Sequence, residues 1–535
     1  MTDHADPQRP TRDDYAAAES LGLLPCPTRV RLTGGAARLA AGFPIAFTDE
    51  AARPAAELLA ARLAAAGGPT HPVAAGSTAA VVIDAGSVER NDDPGQIDES
   101  YRLDIDGDAG AAVRIVAACT EGALRGVQTL VQLLRHLHSA AGSDREVPRL
   151  RIEDRPRFGW RGLHLDVSRH FFDADEVCRL IDLVALHRMN VLHLHLTDDQ
   201  GWRLPSGRYP RLTEVGGYRD ATLIGHDHDR PRRYRDGRYG GAYTPDDLRR
   251  IVAHAAGRGV HVLPEIDLPG HTQAAIAAYP ELGTGPGPRG VRRHWGISTS
   301  VLNLEESTVE FARRVVAEAC AYFPCDWFHL GGDEVVTTEW SEDRRTQDRL
   351  RELGLADEAA AQSWFLRRVA STLAEQGKRM VGWDEILEGD PPPDAMVMSW
   401  RDAASGVRAA RAGREVVMTP MQSTYFDQYQ TDDPAGEPLA IGGHVPLERV
   451  YAFDPAAGVT DPRIAGRIRG AQGQLWTEYT PDWDTLTVRA FPRLCALAES
   501  LWSGPDPRGL GALRRRLTGH LTGLAPLGVA RHGPV

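Results

Sequence analysis

From residue 156 onward, short apolar runs alternate with stretches in which apolar residues recur at helical spacing. Eight runs have the length of buried strands, at 162–167, 191–196, 260–266, 327–330, 380–383, 396–400, 415–418 and 470–476. Helical patterns lie between several of them, at 174–187, 245–258, 308–321, 358–376 and 406–412, and a final helix is predicted over 485–501. Eight parallel strands separated by helices predict an α/β fold, the (β/α)8 TIM barrel, whose active site lies at the carboxyl ends of the strands.

The spacing of the runs adds two details to this barrel. Only twelve residues separate Trp383 from Met396, and they include three consecutive prolines, so the fifth helix is predicted to be reduced. The segments after the second strand (199–243) and the seventh strand (420–468) are long. Long loops on the active face of a barrel usually carry function.

Residues 28–155 follow a different pattern. Strands that alternate apolar and polar residues are predicted at 29–33 and 101–105, a more continuous apolar strand at 79–83, and helices at 51–66 and 121–137. We interpret this part as a small α+β domain without a catalytic constellation. Residues 1–27 are polar and contain prolines, which predicts a loose N-terminal leader. The predicted domains are therefore a leader (1–27), an α+β domain (28–155) and a catalytic barrel with C-terminal helices (156–535).

Composition narrows the class of protein. The chain is 42% hydrophobic and 25% charged, which is typical of a soluble globular protein. A formal net charge of -12, with no basic stripe, argues against a nucleic-acid partner. No run approaches the ~18 to 20 apolar residues that span a membrane, so a membrane partner is not expected.

The compartment is read from the N-terminus and the cysteines. The N-terminus is polar and acidic, unlike a secretory signal, although a removed signal would leave the same mature sequence. The six cysteines show no paired metal-ligand spacing, and Cys178, Cys320 and Cys495 fall in helical patterns where a buried free thiol is expected. These features predict a reducing, cytoplasmic setting.

Polar or aromatic residues follow nearly every predicted barrel strand. In strand order they include Asp166 and Arg169; His195 and Asp198; Asp267 and His271; Asp333 and Glu334; Trp383; Trp400; Tyr425 and Asp427; and Trp476 and Glu478. Taken singly, Trp383 and Trp400 are more often core residues, and His193 and His195 more often fill a barrel than bind a metal. Collected at one end of one barrel, aromatic faces and charged groups together predict a sugar site.

The segment 327–335 carries the strongest single signal. An apolar run stops at Gly331 and Gly332, which let the backbone leave the sheet, and two adjacent carboxylates follow. Repulsion between Asp333 and Glu334 would raise one pKa, as acid–base chemistry needs, whereas the plainer interpretation is a capped junction between strand and helix. Adjacent Cα atoms are only ~3.8 Å apart, and in extended chain the two side chains would diverge. The pair is therefore badly placed to act as the acid and nucleophile of an ordinary retaining glycosidase, whose carboxyl groups lie ~5 to 5.5 Å apart.

Several ordered segments resemble the β-N-acetylhexosaminidases of glycoside hydrolase family 20. They are 166–171, 195–202, 264–272 and 329–334, supported by Gly382-Trp383, Trp400, 425–427 and 475–478. The resemblance covers roughly 28–505. It implies an exo-acting retaining enzyme that needs no cofactor and no metal and that hydrolyses terminal β-linked GlcNAc or GalNAc from oligosaccharides or glycoconjugates. The nucleophile of that family is the 2-acetamido oxygen of the substrate, which forms an oxazolinium intermediate.

The same resemblance implies a role for each site residue. Glu334 is the general acid and base, Asp333 orients the acetamido group and stabilises the positive charge, and His271, oriented by Asp267, sets the pKa of Glu334. The implied pocket residues are Tyr425 for the acetamido carbonyl, Trp383, Trp400 and Trp476 for the walls, and Arg169, Asp427, Glu478 and Asp198 for the ring hydroxyls.

Two other functions stay open on the sequence. A metal-dependent barrel hydrolase would use His193, His195, His271 and Asp333 as ligands, and a chelator would then abolish its activity. A sugar-binding protein with a decayed site would lack turnover altogether. The preference between GlcNAc and GalNAc, the linkage, the oligomeric state and the role of the N-terminal domain are not determined by the sequence.

Overall fold

The computed structural model describes residues 9–65, 67–86, 93–107, 111–137, 144–285 and 289–530. They form a mixed sheet with helices, followed by a closed barrel. The strands of the first sheet are β1 (Arg29–Leu39), β2 (Ile45–Phe47), β3 (Val73–Ala75), β4 (Val81–Ala85), β5 (Tyr101–Ile105), β6 (Val113–Ala117) and β7 (Arg145–Asp154). Their order across the sheet is β1-β7-β5-β6-β4-β2-β3. The predicted α+β character of this part is confirmed.

The helices of the described residues lie before, between and after these strands. In chain order they are α1 (Arg12–Ser20), α2 (Arg53–Ala65), α3 (Thr120–His136), α4 (Ala174–Leu186), α5 (Arg211–Glu214), α6 (Pro245–Ala256), α7 (Gln273–Ala278), α8 (Glu306–Cys320), α9 (Thr338–Glu342), α10 (Arg344–Leu353), α11 (Glu358–Glu375), α12 (Ala403–Arg411), α13 (Met421–Thr424), α14 (Leu447–Ala452), α15 (Pro462–Ala465), α16 (Trp483–Ala490), α17 (Arg493–Trp502) and α18 (Leu510–Leu524). Of these, α2 and α3 pack against each other and against the first sheet.

The prediction of a loose leader is wrong for residues 12–20, which form α1; residues 1–8 lie outside the described part of the chain. Thr11 and Asp14 form a reciprocal capping box at the start of this helix. The Tyr15 hydroxyl donates to the carbonyl of Gly504 at 2.6 Å, and Asp14 accepts from the backbone N–H of Val30 at 2.7 Å. A capped helix with a buried tyrosine is therefore docked on both structural parts.

The second part of the chain contributes twelve strands. They are β8 (Trp160–Asp166), β9 (Val191–His195), β10 (Thr197–Asp198), β11 (Gly201–Trp202), β12 (Tyr218–Ile224), β13 (Arg233–Gly240), β14 (His261–Glu265), β15 (Trp327–His329), β16 (Arg379–Trp383), β17 (Met396–Ser399), β18 (Val416–Met418) and β19 (Ile468–Leu475). Eight of them close a parallel barrel in the order β14-β15-β16-β17-β18-β19-β8-β9, while β10 pairs with β11 and β12 with β13. The predicted barrel is confirmed.

Between β16 and β17 the structure has a short 3-10 turn, Asp384–Glu388, in place of an α-helix. The reduction of the fifth helix is therefore as predicted. The final helix predicted over 485–501 is wrong as a single element, because α16 ends before α17 begins at Arg493. Pro492 has no N–H to continue α16 and holds Phe491 in an extended conformation.

Strand register places the ends of four neighbouring barrel strands at one level. Asp166 is paired with His195, His195 with Glu265, and Glu265 with His329. The residues that immediately follow therefore emerge around one opening at the carboxyl end of the barrel. This is the end where the sequence places its candidate chemistry.

Carboxylates of the first domain enter the opposite end of the barrel. Buried Glu99 pairs with Arg161 at the start of β8 and, at 2.7 Å, with Arg125 of α3. Asp93 pairs with Arg469 at 2.6 Å, near the start of β19. Burial opposes the charge of Glu99, but Arg161 and Arg125 outweigh it and hold the pKa of Glu99 below its ordinary value. The two domains are thus joined by paired charges rather than by a linker alone.

Two further predictions from the sequence concern the cysteines and the absence of a membrane span. Cys178, Cys320 and Cys495 are buried free thiols, as predicted. Among the described residues, none of the helices has both the length and the apolar character needed to cross a membrane.

Candidate active site

A cavity of about 340 Å³ opens at the carboxyl ends of the barrel strands. Its volume is at the small end of the range for ligand pockets, which favours a ligand about the size of one sugar ring. Of the predicted site residues, all but Asp267 line it: Arg169, Asp198, His271, Asp333, Glu334, Trp383, Trp400, Tyr425, Asp427, Trp476 and Glu478. Asp267 is buried beneath this wall.

The turn after β15 is what brings the two adjacent carboxylates together. Gly331, Gly332 and Glu334 have φ angles of 66°, 94° and 49°, all in the left-handed region. A side chain at Gly331 would place its Cβ 1.7 Å from Asp267 Oδ1, so only glycine fits there. The expectation that the side chains of Asp333 and Glu334 diverge is wrong, because the backbone is not extended. A non-glycine residue held left-handed costs about 1 to 3 kcal/mol and is common at functional sites.

His271 lies between the two carboxylates. Its Nε2 is 3.9 Å from Asp333 Oδ2 and 3.6 Å from Glu334 Oε2. On the other side of the ring, Nδ1 lies 3.3 Å from Asp198 Oδ1 and 3.7 Å from Asp199 Oδ2. The prediction that Asp267 orients His271 is therefore wrong: Asp198 is the hydrogen-bond partner. The left-handed φ of 52° at His271 turns the ring away from its own strand and towards the end of β9.

The charges around His271 favour its protonated form. Burial acts to lower the pKa of His271, but the carboxylate of Asp198 and a hydrogen bond to Glu334 outweigh burial and leave the pKa well above its ordinary value. A protonated His271 can donate to Glu334 and stabilise its carboxylate. The arrangement can therefore pass a proton between a histidine and a solvent-facing acid.

Asp267 stabilises the turn after β15 and is not the hydrogen-bond partner of His271. Its Oδ1 accepts from the backbone N–H of Gly332 at 3.1 Å. Burial, followed by the charge of Asp333, raises the pKa of Asp267 well above its ordinary value. Burial also raises the pKa of Asp333, assisted by Glu334 and opposed by His271. Two neighbouring carboxyl groups in a buried wall disfavour each other's charged form, which is the direction of both shifts.

One oxygen of Asp333 has no partner. Asp333 Oδ1 is buried and makes no hydrogen bond within the described chain, and Asp427 Oδ1 is in the same state. Buried acceptors without a donor cost about 1 to 3 kcal/mol each. Both residues line the cavity, so a ligand that carries N–H or O–H donors would relieve this cost.

Three tryptophans and a tyrosine form the walls. Trp383 and Trp476 have ring centroids 6.0 Å apart, and Trp400 and Tyr425 are stacked at 6.3 Å. The Trp383 indole N–H donates to Glu265 at 2.9 Å, which fixes the ring. Their faces present flat apolar surface, as a pyranose ring and an N-acetyl methyl group require.

The polar side of the cavity is built around Arg169. Its guanidinium pairs with Asp198 at 2.9 Å and Asp166 at 3.3 Å, and its Nε donates to Gln200 at 3.0 Å. Burial and the nearby Glu478 raise the pKa of Asp427 to about 7. Asp427 can therefore donate or accept a hydrogen bond near neutral pH, which suits a sugar hydroxyl.

Two glutamates that accept from the site tryptophans were given no role by the sequence interpretation. Glu265 is fully buried at the end of β14 and also lies 2.6 Å from His195 Nδ1. Glu385 accepts from the Trp400 indole N–H at 2.9 Å, and burial together with Asp333 raises its pKa to about 8. The segment Gly382-Trp383-Asp384-Glu385 carried a signal for Glu385, because two acids directly follow a strand-end tryptophan.

Asp198 is held almost entirely by protein groups. It pairs with Arg169, His271 and, at 2.8 Å, with His195 Nε2, and its Oδ1 accepts from the backbone N–H of Asp199 at 2.6 Å. The sequence resemblance implies that Asp198 binds a ring hydroxyl. Its contacts suit it better to holding Arg169 and His271 in place.

We expect the substitution Asp198→Asn to lower kcat about 10- to 100-fold while KM changes little. This loss is typical when a residue that orients a functional group is replaced. Removing the Asp198 charge lowers the pKa of His271, so the limb of the pH–rate profile that His271 controls moves to lower pH. Steady-state kinetics from pH 4 to 9 measure both effects, with Asp390→Asn, an exposed acid after β16, as the control. An unshifted profile with a raised KM would instead make Asp198 a sugar ligand.

The four ligands of the metal-hydrolase alternative do not converge on one point. His193 groups with His164 and Glu265 in the barrel interior, whereas His271 and Asp333 group with Asp267 beside the cavity. His195 commits Nδ1 to Glu265 and Nε2 to Asp198. The geometry therefore does not favour a metal held by this set.

A larger cleft, of about 1200 Å³, lies against α18 and the loop 430–448. Its charged groups are paired with their neighbours: His444 with Asp432 at 3.1 Å, and Arg514 with Glu448. Glu437 accepts from the backbone N–H of Thr431 at 2.7 Å. The smaller cavity, with its unpartnered carboxylate oxygens, is therefore the better candidate for chemistry despite its size.

Family models and relatives agree with this location. Residues 158–505 match the model described as glycosyl hydrolase family 20, catalytic domain, and residues 20–155 match family 20, domain 2. A beta-hexosaminidase of Porphyromonas gingivalis is 38% identical over 444 residues, which are 82% of this chain and 55% of that protein. The chain thus spans little more than half of that relative.

Solved structures give the same picture. An exo beta-N-acetylglucosaminidase of Vibrio harveyi, in complex with N-acetylglucosamine, superposes with a TM-score of 0.84 at 31% identity, covering 96% of this chain and 79% of that one. An N-acetyl-beta-hexosaminidase of Streptomyces plicatus, in complex with Thio-NAglucal, gives a TM-score of 0.81 at 33% identity and covers 98% of both chains.

Proposed function

Because the chain belongs to glycosyl hydrolase family 20, we propose that it is an exo-acting retaining β-N-acetylhexosaminidase that removes terminal β-linked GlcNAc or GalNAc by substrate-assisted catalysis. One observation carries the proposal: Asp333 and Glu334 stand side by side on one wall of an aromatic cavity, with His271 Nε2 within 4 Å of both.

In the first step the acetamido oxygen of the substrate attacks C1 and the bond from C1 to the glycosidic oxygen breaks. Glu334 gives its proton to the departing oxygen, so the leaving group departs as an alcohol. The Tyr425 hydroxyl donates to the acetamido oxygen, and the unpartnered Asp333 Oδ1 accepts from the acetamido N–H. Positive charge develops on the oxazolinium ring as the step proceeds, and the carboxylate of Asp333 stabilises it.

In the second step water attacks C1 and reopens the oxazolinium ring. Glu334 now takes the proton of the water, and His271 stabilises the carboxylate that formed in the first step. Two inversions at C1 give net retention. Arg169, Asp427 and Glu478 hold the ring hydroxyls, and the three tryptophans confine the acetamido methyl so that its oxygen reaches C1.

Release of p-nitrophenol from the β-GlcNAc, β-GalNAc and β-glucoside substrates, each measured with and without a chelator, tests the function. We expect turnover of the N-acetylated pair only, because the glucoside has no acetamido nucleophile. Equal turnover of the glucoside would mean that the protein supplies its own nucleophile. Loss of all activity with the chelator would favour the metal-dependent alternative, and absence of turnover would favour a binding protein.

We propose that the natural substrate is an oligosaccharide or a glycoconjugate that carries a terminal N-acetylhexosamine. The cytoplasmic setting expected from the sequence stays a prediction, which fractionation of the source cells would test.

A further inference from the structure

A buried histidine lies between two carboxylates next to the wall of the catalytic cavity. His195 ends β9 and is fully buried. Its Nδ1 is 2.6 Å from Glu265 Oε2, and its Nε2 is 2.8 Å from Asp198 Oδ2. A carboxylate offers only acceptors, so a ring nitrogen that faces one must donate. Two such contacts on one ring require a proton on each nitrogen, and His195 is therefore an imidazolium ion.

The preceding histidine of the same strand has a different environment. His193 Nε2 lies 3.1 Å from Glu265 Oε2, but its Nδ1 faces the side-chain amide nitrogen of Gln472 at 3.0 Å. An amide N–H donates, so this Nδ1 accepts and carries no proton. Burial also lowers the pKa of His193 to about 4. Of these two histidines, His195 is therefore the one that carries the positive charge.

The charges around His195 agree with this assignment. Burial acts to lower the pKa of His195, but the carboxylates of Glu265 and Asp198 outweigh burial and leave the pKa well above its ordinary value. The other charged and titratable side chains around this group come from β8, β9, β14, β15 and the turns after them: His164, Asp166, Arg169, Asp199, Asp267 and His329. Burial, assisted by His193 and His195, holds the pKa of His164 well below its ordinary value, so His164 is neutral.

The carboxylate of Glu265 contacts two different parts of the site. Its Oε1 accepts from the Trp383 indole N–H at 2.9 Å, whereas its Oε2 accepts from His195. Trp383 forms one wall of the cavity. Strand pairing places Glu265 beside His195 on β9, and its side chain is fully buried. One fixed carboxylate therefore orients both the wall tryptophan and the imidazolium ion.

Asp198 extends these contacts to the acid–base group. Its Oδ2 accepts from His195, and its Oδ1 lies 3.3 Å from His271 Nδ1. On the far side of that ring, Nε2 is 3.6 Å from Glu334 Oε2. A buried carboxylate keeps its charge only when opposite charges pair with it, and His195 supplies one of them. An unbroken series of contacts thus joins Trp383 to Glu334.

We propose that Glu265 and His195 are positioning residues of the reaction: as a buried ion pair they hold Asp198, and through it the acid–base group, in a fixed place relative to the Trp383 wall. This inference rests on the proposed function of the site. Neither residue of the pair is among those that line the cavity, so each acts through its neighbours. The alignment matters because the acetamido oxygen must reach C1 in the same step in which Glu334 reaches the departing oxygen.

The first test is the substitution Glu265→Gln in the full chain. Glutamine keeps the size of the side chain and can still accept from Trp383, but it has no charge to hold an imidazolium ion. We expect kcat on methyl β-GlcNAc to fall about 10- to 100-fold while KM changes little, and His195→Gln to lose a similar factor. His187→Gln is the control, because His187 is another fully buried histidine but lies before the amino end of β9, away from the cavity; it should keep the parent kcat.

A double-mutant cycle with Asp198→Asn separates positioning from a general weakening of the fold. If Glu265 acts through Asp198, adding Glu265→Gln to Asp198→Asn should lower kcat by no more than about twofold further. Two independent effects would instead multiply. Full multiplication, or a Glu265→Gln protein with a kcat within about twofold of the parent, overturns the inference. If Glu265→Gln does not fold, His195→Gln takes its place in the cycle.

¹⁵N NMR of the histidine-labelled full chain tests the ion pair without relying on turnover. We expect the His195 signal, identified by its loss in His195→Gln, to be that of an imidazolium ion at pH 7. A neutral His195 in the parent overturns the inference even if the enzyme is active. A parent that cleaves no N-acetylhexosaminide contradicts the proposed function instead. In that case a His271 signal that shifts in His195→Gln supports the positioning role, and an unchanged His271 signal overturns it.

Discussion

The substitution Glu334→Gln lowers kcat on methyl β-GlcNAc by about 10²- to 10⁴-fold, the range for loss of a general acid and base. Gln keeps the size of the side chain but carries no transferable proton, so the glycosidic oxygen must leave as an alkoxide. We expect a smaller loss on p-nitrophenyl β-GlcNAc in the first step, because nitrophenolate departs without help. Steady-state and burst kinetics on the two substrates measure the difference.

The fold should tolerate this change. Glu334 is one-third exposed, and its left-handed backbone does not depend on its charge. Thermal unfolding of Glu334→Gln should therefore match the parent protein, and Glu388→Gln, an exposed acid after β16, should keep full activity. Retention of more than a tenth of the parent kcat on the methyl glycoside would remove Glu334 from the acid role.

The substitution Asp333→Asn should lower kcat by about 10²- to 10³-fold, the range for removal of one preorganised electrostatic contact to a transition state. The carboxylate of Asp333 has a positive charge to stabilise only when the acetamido nitrogen becomes positive, so KM should change far less than kcat. Asn also presents N–H donors where an acceptor is needed. Both effects slow the formation of the oxazolinium ring.

A stable thiazoline analogue of that ring provides the second measurement. Its affinity should weaken in Asp333→Asn by a factor similar to the loss in kcat/KM, since it resembles the intermediate rather than the substrate. N-acetylglucosamine itself should bind nearly as before. If turnover of an N-acetylated substrate stays near normal, or if the analogue binds unchanged, Asp333 does not stabilise the intermediate.

Much of the fold was predictable because buried parallel strands are continuous apolar runs. Each of the eight predicted runs begins and ends within two residues of the bounds of a barrel strand. The residues at the strand ends meet because the barrel closes. The missing fifth helix was also predictable, since a proline-rich segment of that length has no room for one. These are consequences of local pattern and spacing.

The pairing inside the site was not predictable, because it depends on the direction of single side chains. Asp267 is four residues from His271 on the same segment, yet Asp198 from the preceding strand takes the hydrogen bond. The left-handed turns at His271 and Glu334 decide this, and non-glycine residues in that conformation leave no pattern in the sequence. The docking of α1 was missed for another reason: its capping box is a short polar signal that also occurs in loops.

The carboxylates of the first domain that enter the base of the barrel affect whether the barrel is stable as a separate fragment. A fragment that began at the first barrel strand would keep every catalytic group, but it would leave Arg161 and Arg469 without Glu99 and Asp93. Removing one partner of a buried ion pair costs about 3 to 5 kcal/mol, a large share of the stability of a typical domain. The first domain therefore stabilises the barrel, and we expect a barrel produced without it to be less stable than the whole chain.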